Sequence, residues 1–192
     1  MKYLVLFLII VIPIAAQDTI QRQRAFDAYN SGNYRSAAPL FKAIVEENEK
    51  DAEAWQFLGM SYARIKKKDD ARAAFLANTR LSDLDREVKY DSKLEILSKD
   101  FPKMSPRALA NRCQGIVRVA VEFRHDGTIG FVFPLEERDC GLFEPSIKAA
   151  KSIKFKPATR NGSAVTVIKI VEYSFDILSR RTKIEPDPRE GS

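Results

Sequence analysis

The sequence contains very little of what enzymes and metal proteins commonly use. Its 192 residues include one histidine, His125, and two cysteines, Cys113 and Cys140. His125 is expected in a turn and there is no second histidine to act as a base for a cysteine nucleophile, and the two cysteines lack zinc-finger spacing. The sequence also has no glycine-rich phosphate loop. These absences predict a protein with no catalytic residues, no cofactor and no metal site.

The sequence also lacks a hydrophobic run of the length that crosses a membrane. Its apolar stretch from Tyr3 to Ile14 is about a dozen residues, whereas a spanning helix needs roughly 20. Lys2 precedes this stretch and the small residues Ala15 and Ala16 follow it, which is the layout of a secretory signal peptide. We therefore predict that residues 1–16 form a signal peptide and that the chain is exported. The alternative is an uncleaved anchor, and we expect membrane contact only if this leader is retained.

Composition and charge point to a folded protein but select no partner. Hydrophobic residues make up 45% of the chain and charged residues 30%, which is typical of globular proteins. The formal net charge of +6 is too mild to identify an acidic partner. Because export also separates the chain from nucleic acid, we expect no nucleic-acid partner.

Residues 18–100 have the pattern of a helical array with a 34-residue period. The repeat relates Ala25 to Gly59, Ala37 to Ala71, and Phe41 to Phe75. Small residues at such positions allow two helices to approach closely, and the aromatic residues fill the space between helix pairs. We expect helices near 19–31, 35–48, 52–65 and 69–82, with Asp51 and Asp69 as N-caps.

The second repeat resembles the tetratricopeptide family. The residues at that family's W, L, G, Y, A and F positions are Trp55, Leu58, Gly59, Tyr62, Ala71 and Phe75. Two repeats are few for this architecture, so an amphipathic helix carrying Leu84, Val88, Leu94 and Leu97 is expected to cap the array. The resemblance implies a scaffold whose groove holds a peptide or a helix. Between the second pair of helices, Lys66, Lys67 and Lys68 are interpreted as a solvated turn.

From Phe101 onward the pattern changes from helices to strands. Pro102 and Pro106 break the helical pattern, with one helical turn expected at 106–110. Alternating apolar residues then predict a strand ending near Phe123, a turn at 125–127 and a second strand beginning at Ile129. A three-residue turn places Val121 opposite Phe131 and both apolar sets on one face.

The same register brings the two cysteines close together. It places Cys113 across from Asp139, and Cys140 across from Arg112, at the open end of the hairpin. In an exported protein this spacing predicts a disulfide between Cys113 and Cys140. The alternative is two buried thiols that never meet.

The rest of the sequence completes a small α+β domain. A helix is expected from Leu142 to Lys154, followed by a turn at Asn161-Gly162 and a long strand within 165–177. The order strand, strand, helix, strand predicts an antiparallel sheet with one helix across its face. Residues 179–192 are polar and rich in proline and are expected to be a disordered tail.

Residues 101–176 resemble the TonB C-terminal domain family. The family pattern is a DG turn, a helix, the motif W-x-(F/Y)-x-P-A and an N-G turn before the last strand. The residues that match it are Asp126, Gly127, Phe155, Pro157, Ala158, Asn161 and Gly162, while Ile153 stands at the usual tryptophan. The fold class expected is therefore α+β, with a tetratricopeptide-type array at 18–100 and a TonB-like β-β-α-β domain at 101–178.

The resemblance implies a periplasmic protein that binds other proteins. Members of the family pair a segment of an outer-membrane receptor with an edge strand of their sheet. Carried over to this chain, the predicted contact residues are Val167, Ile168, Lys169, Ile170, Val171, Glu172 and Tyr173. The alternatives are that this strand only completes the domain's own sheet, or that it pairs in a homodimer. A second functional hypothesis is an energy transducer held in the inner membrane by an uncleaved leader, although the long proline-rich spacer of full transducers is missing.

Overall fold

The chain has an α+β architecture, with helices in its N-terminal half and antiparallel strands in its C-terminal half. A computed structural model describes the backbone of residues 14–82 and 90–176, and the side chains of residues 19–77 and 90–176. Most of the predicted signal peptide, the predicted tail at 179–192 and the predicted capping residues Leu84 and Val88 lie outside these residues. The chain divides into two compact units, residues 1–74 and 75–192.

The four predicted helices are present, close to their expected bounds. They are α1 (Ile14–Asn30), α2 (Tyr34–Glu47), α3 (Ala52–Arg64) and α4 (Lys68–Ser82). Asp51 caps α3, because its Oδ1 accepts a hydrogen bond from the N–H of Ala54 at 2.9 Å. The prediction for Asp69 was wrong, since α4 begins at Lys68 and places Asp69 within its first turn. In the turn between α3 and α4, Lys66 adopts a positive φ of 65° and the Lys67 N–H donates to the Tyr62 carbonyl. Lys68, expected in this turn, is the first residue of α4.

The first unit is held together by aromatic rings between close-packed helices. Ala25 and Ala37 are fully buried, as the repeat pattern predicts. Phe57 stacks on Phe41 with ring centroids 5.4 Å apart and meets the edge of Phe26 at 4.8 Å. Each such pair adds about 0.5 to 1.5 kcal/mol beyond the apolar area that it buries. Phe57 therefore lies at the centre of this core.

A three-stranded antiparallel sheet forms the centre of the second unit. Strand β2 (Gly115–Phe123) lies between β3 (Ile129–Pro134) and β7 (Val167–Phe175). Helix α6 (Phe143–Lys151) packs on one face of the sheet. The apolar set expected in β2 is in the core beneath this helix, as Val117, Val119, Val121 and Phe123 show. The expectation of an open opposite face was wrong, because Ala120 and Glu122 are also buried.

The hairpin between β2 and β3 has the predicted turn but a different register beyond it. The Arg124 N–H donates to the Thr128 carbonyl and Gly127 has a φ of +81°, so the loop contains three residues. A β-bulge then shifts the register, and Val121 pairs with Val132 instead of Phe131. The extra N–H, that of Phe131, donates to the buried carboxylate of Glu122 at 2.8 Å. The sequence prediction that Phe131 and Phe133 share a face with Val121 was therefore wrong.

Short elements surround this sheet. Strand β1 (Glu95–Ser98) pairs with β4 (Lys154–Lys156), and β5 (Ala158–Arg160) forms a hairpin with β6 (Ser163–Val165) around Asn161-Gly162. Helix α5 (Pro106–Ala110) is the single turn expected there.

The capping-helix prediction fails within residues 95–98. Leu97 lies in β1, so this segment is a strand of the second unit. The spacing of Leu94 and Leu97 fits a helix, but pairing with β4, about 60 residues later in the chain, determines the outcome.

Replacing Gly130 by alanine tests the bulge. An added Cβ would overlap the Glu122 carboxylate and lie 2.9 Å from Nε of Arg124. We expect Gly130→Ala to lower the free energy of unfolding by about 1 to 3 kcal/mol, measured by urea denaturation. The double variant Glu122→Ala/Gly130→Ala should lose less than the sum of the two single variants, because the clash disappears with the carboxylate. Additive losses would contradict the packing described here.

Candidate functional site

The predicted contact residues form an edge strand of the sheet. All nine residues of β7 pair with β2, from Val167 opposite Phe123 to Phe175 opposite Gly115, without any register shift. At about 3.3 Å per residue, this ladder is roughly 30 Å long. Among the described residues, β7 has no sheet neighbour on its other side.

The hydrogen-bonding direction of β7 alternates along this edge. The Glu172 carbonyl accepts a hydrogen bond from Nζ of Lys99 at 3.3 Å, so it points away from β2. Because alternate residues of a strand point the same way, the backbone groups of Ile168, Ile170 and Ser174 also point outward. Within the described part of the chain, no backbone group pairs with them. Those of Lys169, Val171 and Tyr173 point inward and pair with β2.

The side chains of the predicted contact residues differ in how much they can offer a partner. Buried side chains anchor the strand in the protein and comprise Val167, Ile168, Val171 and Tyr173. Ile170 is half-buried, and Lys169 and Glu172 are exposed. Of the seven predicted contact residues, three therefore have side chains that a partner can reach. The rest of the predicted contact consists of the backbone groups that point outward.

The opposite edge of the sheet differs from β7. Strand β3 contains the bulge, where the Glu122 carboxylate takes up the N–H of Phe131. It also ends at Pro134, which has no N–H to offer. Bulges and prolines are features that protect an edge from pairing with another chain. On β7, the exposed charge of Lys169 is the comparable feature.

The segment that leads into the domain touches the end of β7. Besides donating to Glu172, the Lys99 ammonium lies 5.3 Å from the centre of the Tyr173 ring. Burial, with a smaller contribution from Asp100, raises the pKa of Tyr173 to about 12. The Tyr173 hydroxyl is buried without a hydrogen-bond partner among the described residues.

Exposed apolar side chains occur in the same lead-in segment. Phe101, two residues after Lys99, is 87% exposed, and Leu97 is 54% exposed. Singly exposed apolar residues are common, but a nearly fully exposed phenylalanine is unusual. The sequence pattern marked Phe101 as a helix break and as the start of the second domain, and it missed Lys99. No sequence signal marks a lysine that bonds to a carbonyl 73 residues away.

The disulfide prediction is confirmed. Cys113 and Cys140 are bonded, with their Cα atoms 6.0 Å apart. Both cysteines lie beyond the ends of β2 and β3, at the open end of the hairpin, as expected from the sequence. Disulfides of this kind are found in proteins of oxidising compartments, in agreement with export.

The disulfide belongs to a corner that fixes the start of α6. The Asp139 carboxylate accepts hydrogen bonds from the N–H groups of Gly141, Leu142 and Phe143 at 2.8 to 3.1 Å. Burial acts to raise the pKa of Asp139, but these three hydrogen bonds and the charge of Arg107 outweigh it and hold the pKa below its usual value. This corner is therefore a structural feature.

The described residues provide no assembled metal site. In residues 14–82 and 90–176, no three His, Cys, Asp or Glu side chains come together as metal ligands. His125 lies exposed in the hairpin turn, with Nδ1 3.3 Å from the Thr166 hydroxyl. None of the helices in this part of the chain combines the length and apolar character needed to cross a membrane.

Comparison with known proteins adds no assignment. No protein-family model matches this sequence, and no curated protein matches it. What the chain does must therefore be inferred from its own residues.

Replacing Tyr173 by phenylalanine tests the buried hydroxyl. Because the pKa of Tyr173 is raised from 10.0 to about 12, its contribution to stability is present below pH 10 and is lost as the pH rises towards 12. We expect Tyr173→Phe to be as stable as the natural chain at pH 7. Between pH 10 and 12, its free energy of unfolding should fall less steeply than that of the natural chain. Urea denaturation across this pH range measures both. If the free energy of unfolding of the variant fell with pH as steeply as that of the natural chain, Tyr173 would not be the titrating group.

Removing the disulfide should destabilise the second unit. The bond closes a loop with a sequence separation of 27 residues, for which chain entropy gives about 3 to 4 kcal/mol. We expect Cys113→Ser/Cys140→Ser to lose about that much free energy of unfolding in urea. The natural chain treated with reductant should match the variant, whereas the variant should not respond to reductant. If reductant left the urea unfolding of the natural chain unchanged, the disulfide would not have this stabilising role.

Proposed function

We propose that the chain is an exported, periplasmic, non-catalytic protein that binds other proteins through strand β7. In this proposal the second unit is a TonB-like domain that adds an extended segment of its partner to the outer edge of β7. The tetratricopeptide-type helices of the first unit act as a scaffold. The partner is a protein with an extended segment, such as that of an outer-membrane receptor.

The observation that carries the proposal is the contrast between the two edges of the sheet. Strand β3 is interrupted by a bulge and ends at Pro134, whereas β7 is regular over all nine residues. A long regular edge is a template for another strand, because each outward N–H and C=O can bond to an incoming backbone. The outward groups of Ile168, Ile170 and Glu172 supply such bonds along the predicted contact.

The chemistry of the edge indicates how a partner would be selected. Backbone pairing is independent of sequence, so selectivity must come from side chains beside the edge. On β7 these are the half-buried Ile170 and the exposed Lys169 and Glu172. Lys99 bonds to the Glu172 carbonyl, so a strand that reaches this position must displace the ammonium.

Hydrogen exchange of the β7 amides tests the proposal in the free chain. The inward N–H groups of Lys169, Val171 and Tyr173 are in the ladder and should exchange slowly. Those of Ile170 and Glu172 point outward and should exchange at least about tenfold faster, measured by NMR. A homodimer through this edge would instead protect both sets, to an extent that rises with protein concentration.

Proline substitution then tests partner binding. Ile170→Pro removes an outward N–H without breaking the ladder to β2, whereas Val171→Pro removes an inward one. In pull-downs from an envelope extract, Ile170→Pro should lose partners while keeping the natural urea midpoint within experimental error. Val171→Pro serves as the control, because losing an N–H that bonds to β2 should unfold the sheet. Partners retained in full by a folded Ile170→Pro variant would exclude strand addition at β7.

A further inference from the structure

Two large apolar side chains at and after β1 stand out from the second unit. All four residues of β1 are exposed, and the bulge between Ile96 and Ser98 leaves Leu97 without a partner on β4. Phe101 follows three residues after the strand and is nearly fully exposed. The proposed strand addition at β7 uses neither Leu97 nor Phe101.

The pairing of β1 with β4 places a lysine beside Leu97. Lys154 lies opposite Ser98, so these two side chains share a face of the two-stranded ribbon. The next residue, Phe155, is buried in the core, and neighbouring side chains of a strand point to opposite faces. Lys154 therefore points away from the core, and it is exposed.

Two further lysines flank Phe101. The Ser152 hydroxyl donates a hydrogen bond to the Asp100 carboxylate at 3.1 Å, which joins the end of α6 to the residue before Phe101. Lys151 precedes that serine, and Lys103 follows Phe101 by two residues. Both lysines are exposed. Positive charge is therefore present on both sides of the exposed ring.

These residues form a surface that is basic and apolar at once. Residues 95–103 and 151–156 contain five lysines and two acidic residues, and one of the acids, Glu95, pairs with Lys156 at 2.9 Å. Exposed apolar side chains rimmed by polar ones mark contact sites for proteins or membranes. We define the β1 patch as Leu97, Phe101, Lys103, Lys151 and Lys154. Its three lysines make no ion pair within the described parts of the chain.

The composition of the β1 patch favours a lipid surface over a protein. The buried cores of protein–protein interfaces contain little lysine, because removing an unpaired ammonium from water is costly. At a lipid surface, a lysine keeps its ammonium among the headgroups while its methylene stem and the apolar residues beside it enter the acyl boundary. Anionic headgroups attract such a group of lysines. A phenylalanine exposed between lysines suits this environment and needs no cavity.

We propose that the β1 patch docks the second unit onto an anionic lipid surface, with Leu97 and Phe101 inserted at the headgroup level and the three lysines bound to lipid phosphates. From the sequence, membrane contact was expected only if the leader is retained. Docking through the β1 patch needs neither the leader nor a spanning helix, and it is independent of strand addition at β7.

Vesicle sedimentation with the full chain measures this docking. Vesicles of equal parts phosphatidylglycerol and phosphatidylcholine should bind the chain at least about tenfold more tightly than vesicles of phosphatidylcholine alone. Phe101→Ser and Lys154→Glu should each weaken binding to the anionic vesicles about fivefold or more. Because the natural chain and its variants have the same N-terminus, any contribution of the leader is equal in all of them.

Three control variants separate the β1 patch from other surfaces. Ile116→Ser changes another exposed apolar residue, on β2, and Arg24→Glu reverses an exposed charge of α1. Each should change vesicle binding less than about twofold. Ile170→Pro, which removes an outward N–H of β7, should bind vesicles as the natural chain does. This last control lets the docking and the strand addition fail separately.

Tryptophan fluorescence tests the insertion at position 101 directly. Phe101→Trp adds one tryptophan to a chain whose only other is Trp55. With anionic vesicles, the emission of this variant should shift to shorter wavelength and be quenched by brominated acyl chains. The natural chain, in which Trp55 alone emits, gives the background to subtract.

Several outcomes would overturn the proposal. They are the absence of binding to anionic vesicles, equal losses for Phe101→Ser and Ile116→Ser, and no vesicle-induced change in the emission of Phe101→Trp. If soluble polyglutamate bound the chain as tightly as the vesicles do, at equal concentration of negative charge, the β1 patch would be a site for an acidic protein instead. Should Phe101→Ser lower the urea midpoint, the emission of Phe101→Trp still decides.

Discussion

The pairing of β2 with β7 is the interaction on which the second unit depends. It joins nine consecutive residue pairs and brings residues near 167–175 back onto a strand formed some 50 residues earlier. It also fixes which side chains of β7 enter the core, since Val171, Tyr173 and Phe175 meet the helix-covered face. The same ladder determines which backbone groups of β7 are satisfied. A strand that bonds to one neighbour necessarily turns half of its N–H and C=O groups away from it.

The two edges of the sheet differ in what becomes of the backbone groups that point away from β2. On β3, the bulge turns a backbone N–H towards the Glu122 carboxylate, and Gly130 allows that carboxylate to lie against the strand. A buried carboxylate needs such hydrogen bonds, because an uncompensated one is costly. On β7 there is no bulge or proline, and Lys99 covers one outward carbonyl with a flexible side chain. A flexible lysine can move aside, whereas a bulge cannot.

Much of this fold follows from sequence pattern, and its exceptions have identifiable causes. The helices α2 and α3, the three-residue turn at Gly127 and the cysteine pairing all depend on local periodicity or on one hairpin. The bulge does not, because Glu122 occupies an ordinary outward position in the alternating pattern and only Gly130 hints at a close approach. The strand at 95–98 was missed because its partner lies far along the chain. The candidate edge was predicted as a segment, but burial had to show which of its side chains are accessible.

The two kinds of contact available at β7 respond differently to salt. Strand addition forms hydrogen bonds between neutral backbone groups, which salt screens little and which are the same for any extended segment. The side chains beside the edge are the half-buried Ile170 and the exposed, charged Lys169 and Glu172. Interactions with those two charges weaken as the ionic strength rises. Discrimination between partners should therefore depend on salt more than backbone pairing does, because the backbone supplies affinity and the side chains supply selectivity.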